Sequence, residues 1–273
     1  MTLRAFLFLT LILFLAACDQ STVQDLEDVP TLASVEEMQT ALPLTQNAPP
    51  PPYNLPVTAF TRIDNRLNEL AGWRYVVSLE FTGVVARTPR EVTASASAES
   101  WFNQLSRARR IVVTSSGDLF GETGGIDYEA VRLGDDSFLV QNGACSVNLA
   151  NETGSAQSAA DLGAGLLIGG VSRAVPAGRQ ATLNGIPVYG YAFEPADLSL
   201  PAVRLADGGT QTITGYDLWI APSANAVIRF YVNLDVENAI LLESQLPVTG
   251  QVIIRYDLYD VGTAFNISVP FGC

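Results

Sequence analysis

"GYDLWIAPSANAVIRFYVNLDV", residues 215–236, is the stretch that decides how this chain folds. Aromatic and β-branched residues dominate both of its halves, Tyr216 to Ala221 and Ala226 to Leu234, and Pro222 to Asn225 sits between them. Strand side chains alternate between two faces, and a short break bearing proline and asparagine reverses the chain. The stretch therefore predicts an antiparallel hairpin.

The same pattern recurs in both directions. "WRYVVSLEFTG" (Trp73 to Gly83) reads as a strand, as do Glu91 to Ala98, Arg109 to Thr114, Tyr128 to Leu133, Ser137 to Gln141, Pro187 to Phe193, Gln251 to Tyr259 and Phe265 to Val269. Turn signals such as "SSGD", "LGDD" and "LNG" separate many of them at short intervals, as neighbouring hairpins require. Two segments read instead as helices. Phe60, Ile63, Leu67 and Leu70 follow a Thr58 cap at helical spacing, and Ser158 to Val175 puts Ala164, Leu167, Ile168, Val171, Ala174 and Val175 on one helical face. The second helix carries Gly163, Gly165, Gly169 and Gly170, each costing about 1 kcal/mol against alanine. It must be held by packing or be free to move.

Composition narrows the chemistry. The 273 residues are 48% hydrophobic and carry a formal charge of -13, and every one of the 15 basic residues is arginine. An acidic chain repels phosphate backbones, which argues against nucleic acid as a partner. With no histidine and no lysine, Ser/His/Asp triads, Cys/His dyads, Schiff-base chemistry and His-ligated zinc are excluded. Carboxylate chemistry, oxygen-ligated metals or no chemistry at all remain.

The first residues give an address. A basic start at Arg4 and an apolar run from Ala5 to Ala17 have the size of a signal-peptide core, too short for an ordinary membrane span of about 20 residues. The run ends in Leu15-Ala16-Ala17-Cys18, which resembles the bacterial lipoprotein box. That resemblance implies cleavage after Ala17, a diacylglycerol on the Cys18 sulfur, and a cell-membrane location facing the extracytoplasmic side, since two acyl chains anchor stably. Residues 1–17 are then a lipoprotein signal peptide. Residues 18–57 are an acidic, proline-rich tether closed by "TQNAPPPPYNLP" (Thr45 to Pro56), whose prolines favour an extended spacer. Residues 58–273 are the folded domain.

Three stretches of that domain resemble the bacterial carrier families typified by the lipoprotein chaperone LolA and the mycobacterial lipoproteins LppX and LprG: "TLNGIPVYGYAFE" (Thr182 to Glu194), Gly215 to Val236, and "IRYDLYDVGTAFNISVP" (Ile254 to Pro270). Asn184, Gly185 and Tyr191 fit the strand that follows the families' central helix, and Trp219 and Arg229 fit their later hairpin. The resemblance implies an α+β fold: a strongly curved antiparallel sheet, or half-barrel, with helices covering the concave face over an apolar cavity for acyl chains.

Candidate sites are few. Once Cys18 carries lipid, Cys145 and Cys273 are left, and in an oxidising compartment they form either one disulfide or two free thiols. "SRARR" places Arg107, Arg109 and Arg110 together, either as a rim for anionic lipid headgroups or as an ordinary solvated strand end. Asp127 with Glu129, Asp135 with Asp136, and Asp235 with Glu237 are the closest acid pairs, all beside turns or strand ends where acids serve backbone conformation. No catalytic residue, metal ligand or cofactor is assigned. Asn151-Glu152-Thr153 and Asn266-Ile267-Ser268 match the glycosylation pattern by chance in a chain with a bacterial leader. The expectation is a non-enzymatic lipoprotein that binds a lipid or another amphipathic ligand. The alternatives are an envelope interaction module with a self-filled interior, or a carboxylate hydrolase whose acids converge in one cleft.

Overall fold

The alternation of the 215–236 stretch recurs through more than half of the computed structural model, which describes residues 55–123, 125–150, 152–242 and 244–273. Thirteen strands occur in chain order: β1 (Thr58–Phe60), β2 (Gly72–Val85), β3 (Glu91–Asn103), β4 (Ala108–Gly117), β5 (Tyr128–Leu133), β6 (Asp136–Gln141), β7 (Ala144–Asn148), β8 (Gly170–Leu183), β9 (Ile186–Ala192), β10 (Leu198–Ser199), β11 (Val203–Ala221), β12 (Ala226–Leu241) and β13 (Pro247–Tyr259). They form one open sheet in the order β1-β8-β9-β11-β12-β13-β2-β3-β4-β5-β6-β7, with β10 also paired to β8. Every pairing in it is antiparallel.

Period-two patterning gives this sheet two unlike faces. In β2 Trp73, Tyr75, Val77, Leu79 and Phe81 are buried, and in β12 Phe230, Val232, Leu234 and Val236 continue the same face. These side chains share one core with Ile63 and Leu67 ahead of β2, with Ala160 and Ile168 from the helical segment, and with Leu200 and Ala202. The opposite face carries arginines laid across aromatic rings: Arg179 over Trp219, Arg229 and Arg255 over Tyr231, Arg74 over Tyr259, and Arg110 over Trp101. Their centroid distances of 4.6 to 4.9 Å lie within cation–π reach. Residues 53–273 make one compact unit, so a chain beginning at Tyr53 retains this entire core.

The expected α+β half-barrel with helices over a concave face is not what forms. Among the described residues the α-helices are α1 (Ser155–Ala160) and α2 (Ala164–Ile168), and α1 packs at one end of the sheet on β4 to β7. The glycines explain the difference. Gly169 takes a φ of 65°, in the left-handed region, and ends α2. Val171, Ala174 and Val175, expected on the helix, instead belong to β8, whose Pro176 and Gly178 oppose a helix in any case. Nor do Thr58 to Leu70 form a helix. Phe60 joins β1 opposite Val171, and Leu67–Glu69 is a single 3-10 turn entered from Arg66 at φ 71°. The close approach of Ile63, whose N–H donates to the Gly169 carbonyl at 2.7 Å, replaces the helical bonds the spacing implied.

Several strand boundaries also move. β11 begins at Val203 rather than Tyr216, β8 and β7 are strands that the pattern did not reveal, and Phe265 to Val269 is irregular. Turn chemistry is read correctly at Asn184-Gly185, where φ values of 52° and 79° suit the tight hairpin turn joining β8 to β9.

Candidate functional site: an apolar cavity beside an arginine-lined cleft

The cavity starts with β3. Its neighbour β2 presents Val77 and Leu79 to the apolar face, but "TASASA" (Thr93 to Ala98) answers with Ala96 and Ala98 at the paired positions. The missing side-chain volume is not refilled. A cavity of about 310 Å³ lies over Val77, Leu79, Ala96, Val113, Ser115 and Tyr128. Leu162, Leu167 and Ile168 border it from the helical segment, with Phe120, Ile126, Leu242 and the polar Ser78 and Ser97 also in its wall. The Ala202 backbone fixes this border, donating to the Leu167 carbonyl at 3.1 Å and accepting from the Leu242 N–H at 2.7 Å.

Among the described residues, none that lines the cavity is charged. The Ser115 hydroxyl is engaged with the backbone of Ile126, donating to its carbonyl at 3.0 Å and accepting its N–H at 2.6 Å. Burial pushes the Tyr128 phenol up to about 12, with Tyr75 adding to the rise, so it stays neutral at physiological pH. The polar side chains of the lining are the hydroxyls of Ser78, Ser97, Ser115 and Tyr128. What such a lining can do is shelter an apolar chain from water.

Leu162 links this cavity to a polar region on its far side. The Leu162 carbonyl accepts from Arg109 Nη2 at 2.5 Å, and Arg109 also donates to Ser100 Oγ at 3.1 Å and to the Tyr75 hydroxyl at 2.9 Å. Burial raises the Tyr75 phenol, against the lowering effect of the Arg109 charge, so Tyr75 accepts this bond as a neutral group. Arg109 lies 5.8 Å from the centre of the Trp73 ring, which stacks on both Tyr75 and Phe102. Around it are two polar depressions of about 330 and 280 Å³ that share Asn68, Arg109 and Asp161 as walls. Together they are bordered by Arg62, Arg66, Arg107, Arg109 and Arg132, one third of the 15 basic residues of an acidic chain.

Glycine makes this arrangement possible. A Cβ at Gly163 or Gly165 would collide with the Asp64 carboxylate, one at Gly169 with the Ser199 carbonyl, and one at Gly170 with the Phe60 carbonyl. The four glycines that weaken the expected helix are therefore where the 60–64 and 199 segments press against it. The helical segment is held by packing.

The sequence candidates fall in different places. Arg107 and Arg109 border the cleft, whereas Arg110 faces the other side of the sheet, bonded to Glu129 at 2.8 Å. Asp135 pairs with Arg107 at 3.1 Å, and Asp136 accepts from the Ala150 N–H at 3.0 Å. Asp127 accepts from the Ser115 N–H at 3.2 Å, and Glu237 from the Thr210 hydroxyl at 3.5 Å. Asp235 stands opposite Gln251 between β12 and β13. Asp127, Asp135 and Asp136 serve loops and an ion pair, whereas Asp235 and Glu237 lie within β12 rather than at the strand end expected of them; among the described residues no group of three or more Cys, Asp or Glu comes together that could hold a metal. Cys145, on edge strand β7, is joined to Cys273 by a disulfide with 5.3 Å between Cα atoms. Cys18, the tether and Asn151 lie outside the described residues. The resemblance implied an apolar cavity without naming its walls, and "SRARR" supplied Arg107 and Arg109 of the cleft but not Arg62, Arg66 or Arg132; the alanines on the inward positions of β3 were an unused signal for where the cavity lies.

No family model and no curated protein matches this chain. Among solved structures it is similar to LprF from Mycobacterium bovis, at 10% identity over 77% of this chain and 93% of that one, with a TM-score of 0.34.

Proposed function

We propose that this protein is a lipid-anchored lipoprotein on the extracytoplasmic side of a cell membrane, and that its folded domain binds a lipid or another amphipathic ligand without transforming it. The apolar cavity of about 310 Å³ carries the binding half of the proposal. It stands at the lower end of the roughly 300–1,000 Å³ range of small-molecule sites, and each methylene buried there contributes about 0.8 kcal/mol before the costs of association. An unfilled volume in this part of the core favours ligand binding over an interaction module packed solid by its own side chains. The anchoring half rests on the leader and on the Leu15 to Cys18 box.

The Tyr53–Cys273 domain, incubated with a membrane lipid extract and examined by native mass spectrometry, should carry one bound lipid. Bare protein alone would contradict the binding half. In a bacterial host, Cys18→Ser should abolish incorporation of labelled palmitate and release the chain from the membrane, and unchanged membrane association would refute the anchor.

A further inference from the structure

We infer that the arginine-lined cleft binds a phosphate group, so that the ligand of this domain is an amphiphile with a phosphate-bearing head. The identity of the tail rests on the chain-binding role proposed for the cavity; the phosphate site itself does not. On the polar face, Arg74, Arg110, Arg179 and Arg229 each have a carboxylate within 2.7 to 3.3 Å, and Arg255 lies over the Tyr231 ring. The cleft mixes paired and unpaired arginines in one depression. Arg132 is held by Asp161 and Arg62 by Asp64, but Arg66 and Arg109 have no carboxylate partner among the described residues. Arg66 instead donates to Asn225 Oδ1 at 2.6 Å, and Arg109 is fixed by two hydroxyls and one carbonyl.

Arg109 is half-buried over Trp73, and its three bonds use Nε and Nη2 only. A preorganised guanidinium with a free edge, half-buried and without a bonded carboxylate, attracts an anion more strongly than a fully solvated one does. Arg107 stands at the exposed rim, where its ion pair with Asp135 is weak enough to be exchanged for a phosphate. The cavity and the cleft meet at one residue, since Leu162 borders the cavity while its carbonyl is bonded to Arg109. That juxtaposition suits a ligand with its chain on one side and its charged head on the other.

The test is calorimetric titration of the Tyr53–Cys273 domain with three probes: dihexanoyl phosphatidic acid, neutral dihexanoylglycerol and inorganic phosphate. Arg66 and Arg107 sit at φ 71° and 49°, a conformation asparagine tolerates, so Arg66→Asn/Arg107→Asn should fold. We expect phosphatidic acid to bind roughly tenfold or more tightly than dihexanoylglycerol, with the advantage weakened by salt. The double substitution and Arg109→Gln should remove that advantage, and Arg110→Gln on the opposite face should keep it. Binding of inorganic phosphate with the same dependence on the arginines also supports the site and shows that it accepts free phosphate. If phosphatidic acid binds no better than phosphate alone, the phosphate site stands and the chain-binding role of the cavity fails. Equal binding of the two lipids, unchanged by the substitutions, overturns the phosphate site and leaves the cavity's role intact. Binding of none of the three probes overturns it as well.

Discussion

Asp257 shows how single residues hold the polar face. It is buried, receives Arg229 Nε at 2.8 Å, and accepts a short bond from the Tyr231 hydroxyl. Removing it leaves a partly buried arginine and a phenol without their acceptor, a change that in buried pairs costs 3 to 5 kcal/mol. Because Arg229 is still partly solvated, Asp257→Ala should cost about 2–3 kcal/mol. Denaturant unfolding should show a lower midpoint at unchanged slope, and an unaltered midpoint would contradict this account. At this scale strand alternation splits what reads in sequence as one rim: Arg109 and Arg110, adjacent in β4, part to opposite faces. The company Arg109 keeps was not legible, because Tyr75, Ser100 and Leu162 reach it from three separate parts of the chain.

Among the elements, the strands flanking the 215–236 turn follow their pattern closely, and the helical segment does not. Residues 58 to 70 and 164 to 175 have helical apolar spacing, yet Gly169 and Gly170 serve close approach, and β8 gains sheet pairing with β1 and β9 in exchange. Periodicity records which residues are buried, and Phe60, Ile63, Leu67, Ala164, Ile168, Val171 and Ala174 all are. It does not record which backbone buries them. Gly165→Ala should therefore destabilise despite alanine's better helix propensity, because its Cβ would collide with Asp64 and lie 2.6 Å from the Arg62 Cβ. A loss of about 1–3 kcal/mol is expected by thermal unfolding. Stabilisation would show instead that the segment behaves as a free helix.

For the whole molecule, the C-terminal tail ties the sheet's middle to its edge. After β13, the Gly262 N–H donates to the Gly72 carbonyl at 2.8 Å, Asn103 Nδ2 donates to the Phe265 carbonyl at 2.7 Å, and Cys273 ends on β7 through Cys145. The chain has no histidine, so no side chain with an unperturbed pKa near neutrality is present, and stability should be flat from about pH 6 to 9. Above that range tyrosine decides. Burial raises the phenols of Tyr75, Tyr128, Tyr191, Tyr231, Tyr256 and Tyr259, with Tyr128 and Tyr231 reaching about 12 against an ordinary value of 10.0. Unfolded tyrosines lose protons near pH 10 that folded ones retain, so stability present below that pH is lost as pH rises toward about 12. Urea midpoints measured across this range should fall steeply above pH 10, and a flat profile through pH 12 would count against the burial of these rings.

The antiparallel architecture was legible from strand and turn patterns, but the cavity depends on what small β3 residues leave empty across a register that no local pattern prints. Its role as a binding site is the central claim. The most direct measurement is native mass spectrometry of the Tyr53–Cys273 domain beside its Ala96→Phe variant after exposure to the same membrane lipid extract, with thermal unfolding of both. Ala96 borders the cavity, and a phenyl ring there enters space that is already empty. The account predicts a folded variant with a similar melting temperature and no bound lipid, and a folded Ala96→Phe protein that carries lipid as the parent does would contradict it.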